Sequence, residues 1–408
     1  MNPRPFRVLP TACAAGLVAL AGAVHAELPY VAPEDDAEHF GDPARFLFWG
    51  PDEKVAGFRN IASIYPTRRI AAGGPVLALP DSETPVTDLT YTFDGESLRI
   101  DDYMSRGHVV GLIAVQDGEV VLERYAAGNG AASRWVSFSV AKSVVSMLAG
   151  AALLDGYIAS VDEPVTAYLP RLKGSAYDDV TIENLLQMAS GVQWNEDYAD
   201  PESDVNTTPL TLVGMYGMLS GKARVGAAGA VFNYNTAETN LVGALVRAAI
   251  GNNLATYLSH KVWQPFGMEA DAYWMTHGPG GGELGGCCIN ATLRDYARIG
   301  LFALAGGVLA DGTRVLPEGW MQASTTASEG SDQYGYLWWL WPEGQYRALG
   351  IFGQTIAVYP DRNLVVATHG AAPTAVGGGP PRHREAFFAA LAAHLDARAA
   401  GESAEDER

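Results

Sequence analysis

Ser139-Val140-Ala141-Lys142 opens the apolar run SFSVAKSVVSMLAGAALLDG, and residues three apart lie on one face of a helix, a turn from each other. A hydroxyl and an amine so placed suit a serine nucleophile and its base. Ser139 stands just ahead of the helical pattern, where an N-cap residue belongs. The positive end of a helix favours an alkoxide there, and also the anion formed by attack on a carbonyl. The same field and an apolar setting disfavour a charged Lys142, and a neutral lysine accepts the serine proton. The spacing alone is a weak signal, since five lysines and ordinary serine usage supply such a match by chance in about one chain of four. Context strengthens it. A lysine among Val, Ala, Met and Leu on a buried helix is costly unless it has a chemical task or a partner.

The elements that must position this pair form a mixed pattern. Residues from about Glu27 to Gly95 are rich in Pro, Gly and acidic side chains and read as an N-terminal arm with short helices. Next, HVVGLIAVQDGEVVLERYAAG alternates around the turn Gln116-Asp117-Gly118, the mark of a hairpin, and the Ser139 helix follows at once. From about 163 to 330 helical spacing dominates in TIENLLQMASG, TLVGMYGMLSG, TAETNLVGALVRAAIG and ATLRDYARIGLFALAGG, each closed by Gly. Strand patterns return in YGYLWWLW, YRALGIFGQTIAVYP and NLVVATHG, followed by a last helix from about Arg382 to Ala399 and a solvated acidic tail over 401–408. Early and late strands pairing around the helical block predict an α+β fold: an antiparallel sheet flanked by helices with an all-helical region inserted, spanning about 96–400.

Composition narrows the partners. The 408 residues are 48% hydrophobic and 18% charged, with a formal net charge of −19, ordinary globular material for one large domain or two. MNPRPFRVLPTACAAGLVALAGAVHA has Arg4 and Arg7, an apolar stretch to Val24 and a small-residue cleavage site ending at Ala26, the plan of a signal peptide for export. Cleavage there removes two positive charges and takes the mature chain to −21. So acidic a chain repels nucleic acid and anionic membranes, and no later segment is long and apolar enough to span one. A small molecule is the expected partner. Cys287 and Cys288 are adjacent, which permits only a strained ring, so two small buried residues are the default and a vicinal disulfide the alternative. No zinc spacing, His-Glu-x-x-His or Gly-x-Ser-x-Gly elbow occurs, and no metal or cofactor is implied. GPGGGELGG from Gly278 lacks the flanks of a phosphate loop and reads as a flexible turn over the pocket.

Several motifs then fall in an order that resembles the serine hydrolases of the β-lactamase and penicillin-binding fold. The resemblance runs from about Arg106 to Leu395 and is strongest to the class C-like branch with its esterases and 6-aminohexanoate-dimer hydrolases. It assigns Ser139 as nucleophile and Lys142 as base. Tyr234-Asn235-Thr236 matches the family's Tyr-x-Asn or Tyr-x-Ser loop with Thr as its third residue, which makes Tyr234 the third catalytic group and places Thr236 at the substrate. Ala348-Leu349-Gly350 stands where relatives carry Lys-Thr-Gly or His-Thr-Gly, and the oxyanion hole falls to the backbone N–H groups of Ser139 and Ile351. Gly350 keeps the close approach of the strand to substrate, but Ala348 and Leu349 cannot hold a substrate carboxylate. Arg347 points to the opposite face and does not replace the missing lysine. The resemblance to the 6-aminohexanoate-dimer hydrolases extends to GIFGQTIAVYP, ATLRDYARIG and the acidic loop WNEDYADPESDV, whose Asp197, Tyr198 and Asp200 either border the substrate, as the resemblance implies, or form a solvated acidic turn.

The expectation is an exported amidase or carboxylesterase that works through an acyl-enzyme on Ser139. The alternatives are β-lactam or peptidoglycan processing, which the absent Lys-Thr-Gly opposes, and a catalytically silent binding or scaffold protein. A silent site has no reason to keep a costly buried lysine beside Ser139 and Tyr234. Lys142 and Tyr234 both remain candidates for the main base.

Overall fold

A computed structural model describes residues 28–375 and 380–406, with side chains described for 28–375 and 381–400. The leader expected over 1–26 lies outside the described residues. The described strands are β1 (Thr67–Ile70), β2 (Thr90–Phe93), β3 (Glu96–Arg99), β4 (Val109–Gln116), β5 (Glu119–Tyr125) and β6 (Arg134–Val136). They continue with β7 (Ala272–Met275), β8 (Ile289–Thr292), β9 (Trp339–Leu340), β10 (Tyr346–Leu349), β11 (Thr355–Tyr359) and β12 (Leu364–Gly370).

The main sheet has the order β5-β4-β12-β11-β10-β9, with each named pair antiparallel. Early and late strands therefore do pair across the inserted region, as the sequence pattern implies. Leu364 and Val366 face one apolar core with Phe387, Phe388 and Leu391 of the C-terminal helix (Pro380–Asp406). Their neighbours Val365 and Ala367 face another, built on the helices Val140–Leu154 and Leu293–Leu304. Alternation on a strand covered on both faces turns both sets apolar, which is why NLVVATHG reads as a continuous hydrophobic run. The C-terminal helix carries on through the backbone of the acidic tail as far as Asp406.

The inserted region is mostly helical but not wholly so. Its helices start where hydroxyl and amide caps predict: Thr181, Thr211, Asn235 and Thr292 each accept a hydrogen bond from a first-turn N–H. The first is shorter than its apolar spacing suggests and stops at Leu186, since Met188 turns to φ +52°. β7 and β8 interrupt the region and join β1 and β6 in a second sheet, ordered β1-β7-β8-β6. Four-residue strands are too short to show a period of two against a helical background.

Candidate active site

Ser139 occupies the N-cap position of the helix Val140–Leu154, yet its side chain caps no backbone N–H. The hydroxyl is left for chemistry. The turn that delivers it is constrained from several sides. Phe138 adopts φ +43°, a left-handed conformation that costs a bulky residue energy and persists only when its surroundings enforce it. Phe46, Phe58 and Phe352 do so, with ring centroids 5.0 to 5.1 Å from that of Phe138. Ser137 is pinned to β8 on both sides, its N–H donating to Ile289 O at 2.8 Å and its Oγ accepting from Ile289 N at 2.9 Å.

Lys142 is 1% exposed, and its Nζ contacts three oxygens: Ser139 Oγ at 3.1 Å, Thr236 Oγ1 at 3.0 Å and Gly286 O at 2.7 Å. Burial pulls its pKa down to about 8, against the opposing charge of Glu196. Two of the three partners can only accept from it. A carbonyl has no proton to give, and the Thr236 hydroxyl already donates to Glu196 Oε1. A neutral Lys142 therefore spends its two N–H groups on Gly286 and Thr236, and its lone pair faces Ser139. Thr236, expected at the substrate, bridges the Lys142 amine and the Glu196 carboxylate.

Tyr234 is half-buried, stacks on Trp339 with centroids 5.6 Å apart, and lies with its ring centroid 5.3 Å from Lys142 Nζ. Burial and the Glu196 charge raise its pKa well above the ordinary phenol value, opposed by a side-chain hydrogen bond with Ser139. The two candidate bases are thus driven apart, the lysine towards its neutral form and the phenol away from its anion.

Gly350 shows why that strand position tolerates no side chain. A Cβ there would lie 2.6 Å from Ser137 O and 2.7 Å from Gln354 Oε1. The glycine lets the end of β10 pack against the backbone leading into Ser139, which brings Ile351 alongside. Among the described residues, no acceptor takes the N–H of Ser139 or of Ile351.

A cavity of about 430 Å³ adjoins Tyr234, lined among others by Tyr198, Glu196, Leu349, Gly350, Ile351 and Arg384, a volume suited to a small organic substrate. Tyr198 reaches it, donating to Glu196 Oε1 at 2.6 Å. Asp197 does not. Its side chain is exposed and accepts from Ala199 N at 2.9 Å within its own turn, and Asp200 likewise closes a turn on Glu202 N at 3.0 Å. Arg347 lies under 3% exposed on the far face, paired with Glu385 at 2.6 Å.

Glu196 is the residue that sequence reasoning passed over. It accepts from Thr236 N at 3.0 Å, and also from Thr236 Oγ1, Tyr198 OH and Trp194 Nε1. The signal was an alternation: Trp194, Glu196 and Tyr198 turn inward while Asn195 and Asp197 are exposed. GPGGGELGG is likewise not a loop over the pocket at its far end. Gly286 sits behind the lysine, where a Cβ would lie 2.7 Å from Thr236 O. The next two residues, Cys287 and Cys288, are joined as a vicinal disulfide rather than left as separate thiols. Cys288 takes φ +76°, which turns the chain at the pair.

Residues 99–391 match the β-lactamase family, and the chain belongs to that family of hydrolases. The 6-aminohexanoate-dimer hydrolase of Paenarthrobacter ureafaciens is 28% identical over 339 residues, covering 76% of this chain and 83% of that protein. Among solved structures, a Bacillus anthracis protein named as a 6-aminohexanoate-dimer hydrolase aligns at a TM-score of 0.75 and 21% identity, over 84% of this chain and 95% of its own. A family VIII carboxylesterase aligns at a TM-score of 0.53 and 17% identity, over 69% and 92%. These two structural likenesses establish the β-lactamase and penicillin-binding fold. No described helix is long and apolar enough to cross a membrane.

Proposed function

We propose that the chain is an exported serine hydrolase that cleaves amide or ester bonds through an acyl-enzyme on Ser139. Linear amides of the aminohexanoate type are the substrate class its curated relative suggests. The observation that carries this reading is the 3.1 Å contact of Lys142 Nζ with Ser139 Oγ, in a setting where the other two partners of the amine can only accept from it. Export rests on the charged, apolar and small-residue order of residues 1–26.

In the first half-reaction Ser139 Oγ passes its proton to neutral Lys142 and bonds to the substrate carbonyl carbon. The carbonyl oxygen becomes an anion held by the N–H groups of Ser139 and Ile351. As the carbon–nitrogen or carbon–oxygen bond breaks, Tyr234 protonates the leaving amine or alcohol and recovers a proton from Lys142. Water then adds to the acyl carbon, gives its proton to the same base, and the acid departs as Ser139 is restored. Glu196 touches no reacting atom here; through Thr236 it orients the lysine.

Steady-state kinetics on 4-nitrophenyl butyrate, 6-aminohexanoate dimer and nitrocefin test the proposal. Turnover of the ester or the amide is expected, with Lys142→Met and Tyr234→Phe each lowering kcat by about 10²–10⁴-fold. Rates unchanged in both variants would contradict it. Nitrocefin turned over faster than either would move the substrate class to β-lactams.

A further inference from the structure

The short segment from Gly286 to Ile289 touches both Lys142 and the turn that carries Ser139. Gly286 O accepts from Lys142 Nζ at 2.7 Å. Cys288 N donates to Phe138 O at 3.3 Å, and Ile289 exchanges two hydrogen bonds with Ser137. The disulfide between Cys287 and Cys288 lies between these contacts. No step of the acyl transfer proposed above uses it.

Packing anchors the segment at each end. Gly286 N donates to Asn240 Oδ1 at 2.8 Å, and a Cβ on Gly285 would lie 2.4 Å from Thr239 O, so the glycines press against the helix Thr236–Ile250. At the other end Cys287 O accepts from Trp274 Nε1 at 3.0 Å, and Cys288 O from Met275 N at 3.0 Å, both on β7. The chain turns between the anchors at Cys288, whose φ is +76°. A residue with a Cβ enters that region at a cost and stays there under constraint. The ring closed through its own Sγ supplies the constraint.

The ring can be opened from one side. Cys288 is 1% exposed and Cys287 half-buried, so a thiolate reaches Cys287 first. In that step the thiolate of a small dithiol bonds to Cys287 Sγ, the Sγ–Sγ bond breaks, and Cys288 Sγ leaves with the electron pair and takes up a proton. The second thiol of the reagent then displaces Cys287 Sγ, which is protonated in turn, and the reagent departs as its own disulfide. The pair has gained two electrons and two protons. Cys288 is then free to leave φ +76°, and Gly286 O, two residues back, moves with it.

We propose that the Cys287–Cys288 disulfide is a positioning device for the base: closed, it holds Gly286 O against Lys142 Nζ, and opened by a dithiol it releases that carbonyl and lowers turnover reversibly. This rests on the hydrolase reading above, in which Lys142 is the base. Under the export proposed there, an oxidising compartment keeps the pair closed. Loss of the carbonyl removes an acceptor that favours the ammonium over the amine. The reduced enzyme therefore has a lysine that is neutral at lower pH but poorly oriented. The titratable groups around the lysine, Glu196, Tyr198 and Tyr234, come from other segments of the chain and belong to both redox states alike.

Steady-state kinetics on 4-nitrophenyl butyrate across pH test this in wild type treated with oxidised glutathione, reduced with dithiothreitol, and reoxidised. Iodoacetamide labelling of the peptide containing Cys287 and Cys288, read by mass spectrometry, reports the redox state. Turnover is expressed per serine that a fluorophosphonate labels at completion, so unfolded protein is not counted. In the reduced enzyme kcat is expected to fall about ten- to a hundredfold, the scale of a misplaced catalytic group. KM should change little, the midpoint of kcat/KM should move to lower pH, and reoxidation should restore both. Cys287→Ser and Cys288→Ser are expected to match the reduced enzyme and to ignore the dithiol; where the native pair resists reduction, these two variants decide on the same terms. Two free thiols persisting after oxidised glutathione overturn the proposal, as do an unchanged kcat and midpoint. A lower kcat with the midpoint unmoved also overturns it, since a purely structural brace does that. Failure of the oxidised wild type to turn over the ester would instead remove the hydrolase reading.

Discussion

At the scale of single residues, the proposed mechanism turns on the protonation of Lys142. With a pKa near 8, the amine is mostly charged at pH 7 and neutral above about 8. As the base it must be neutral, so kcat/KM is expected to rise with pH through about 8 and then level off, which a pH–rate profile on a neutral ester would record. Glu196 raises the lysine's pKa through its charge, so Glu196→Gln is expected to move that rise to lower pH. A midpoint that stays put would limit Glu196 to a structural role. Ser139 and Lys142 were legible because a local spacing and an apolar setting define them. Tyr234 needed its order within a family pattern. Glu196 escaped because its function depends on Thr236, forty residues away, and no local pattern brings a loop to a helix start.

At the scale of elements, the nucleophile turn is held by parts far away in sequence. Phe46 and Phe58 come from the N-terminal segment and Phe352 from the turn after β10, and all three pack on a Phe138 held at φ +43°. Phe58→Ala is expected to destabilise the fold by about 3–5 kcal/mol and to lower kcat more than it raises KM, because the turn it supports carries the attacking oxygen. Denaturant unfolding and steady-state kinetics on the same preparation check both. A loss of stability with kcat intact would show that the turn holds without it. Gly350→Ala pushes a methyl into Ser137 O and is expected to impair turnover even on the smallest ester substrates. The main sheet could be read from sequence because its central strands β4 and β12 run for eight and seven residues and are apolar on both faces. The second sheet could not, since four-residue strands such as β7 carry too few alternations.

At the scale of the whole molecule, buried charge ties stability to pH. Glu238 is 1% exposed, and burial raises its pKa from 4.5 to about 7 against hydrogen bonds from Ser190 and Tyr177. The folded state then holds a proton that the unfolded chain releases between pH 4.5 and 7. The stability this provides is complete below 4.5 and is lost as pH rises through 7, at about 1.4 kcal/mol per pH unit. Wild-type Tm is expected to fall between pH 5 and pH 8 by more than that of Glu238→Gln; equal falls would exclude Glu238 as the source. The C-terminal helix gives the same lesson about legibility. Its apolar spacing announced a helix, but only the folded molecule brings Arg384 to the cavity wall.

The claim on which the rest depends is that Ser139 forms the acyl-enzyme. Mass spectrometry of the purified protein after reaction with a fluorophosphonate gives the most direct answer. One adduct on the peptide containing Ser139 is expected, absent in Ser139→Ala together with turnover. An adduct or hydrolysis that survives in Ser139→Ala would contradict the account.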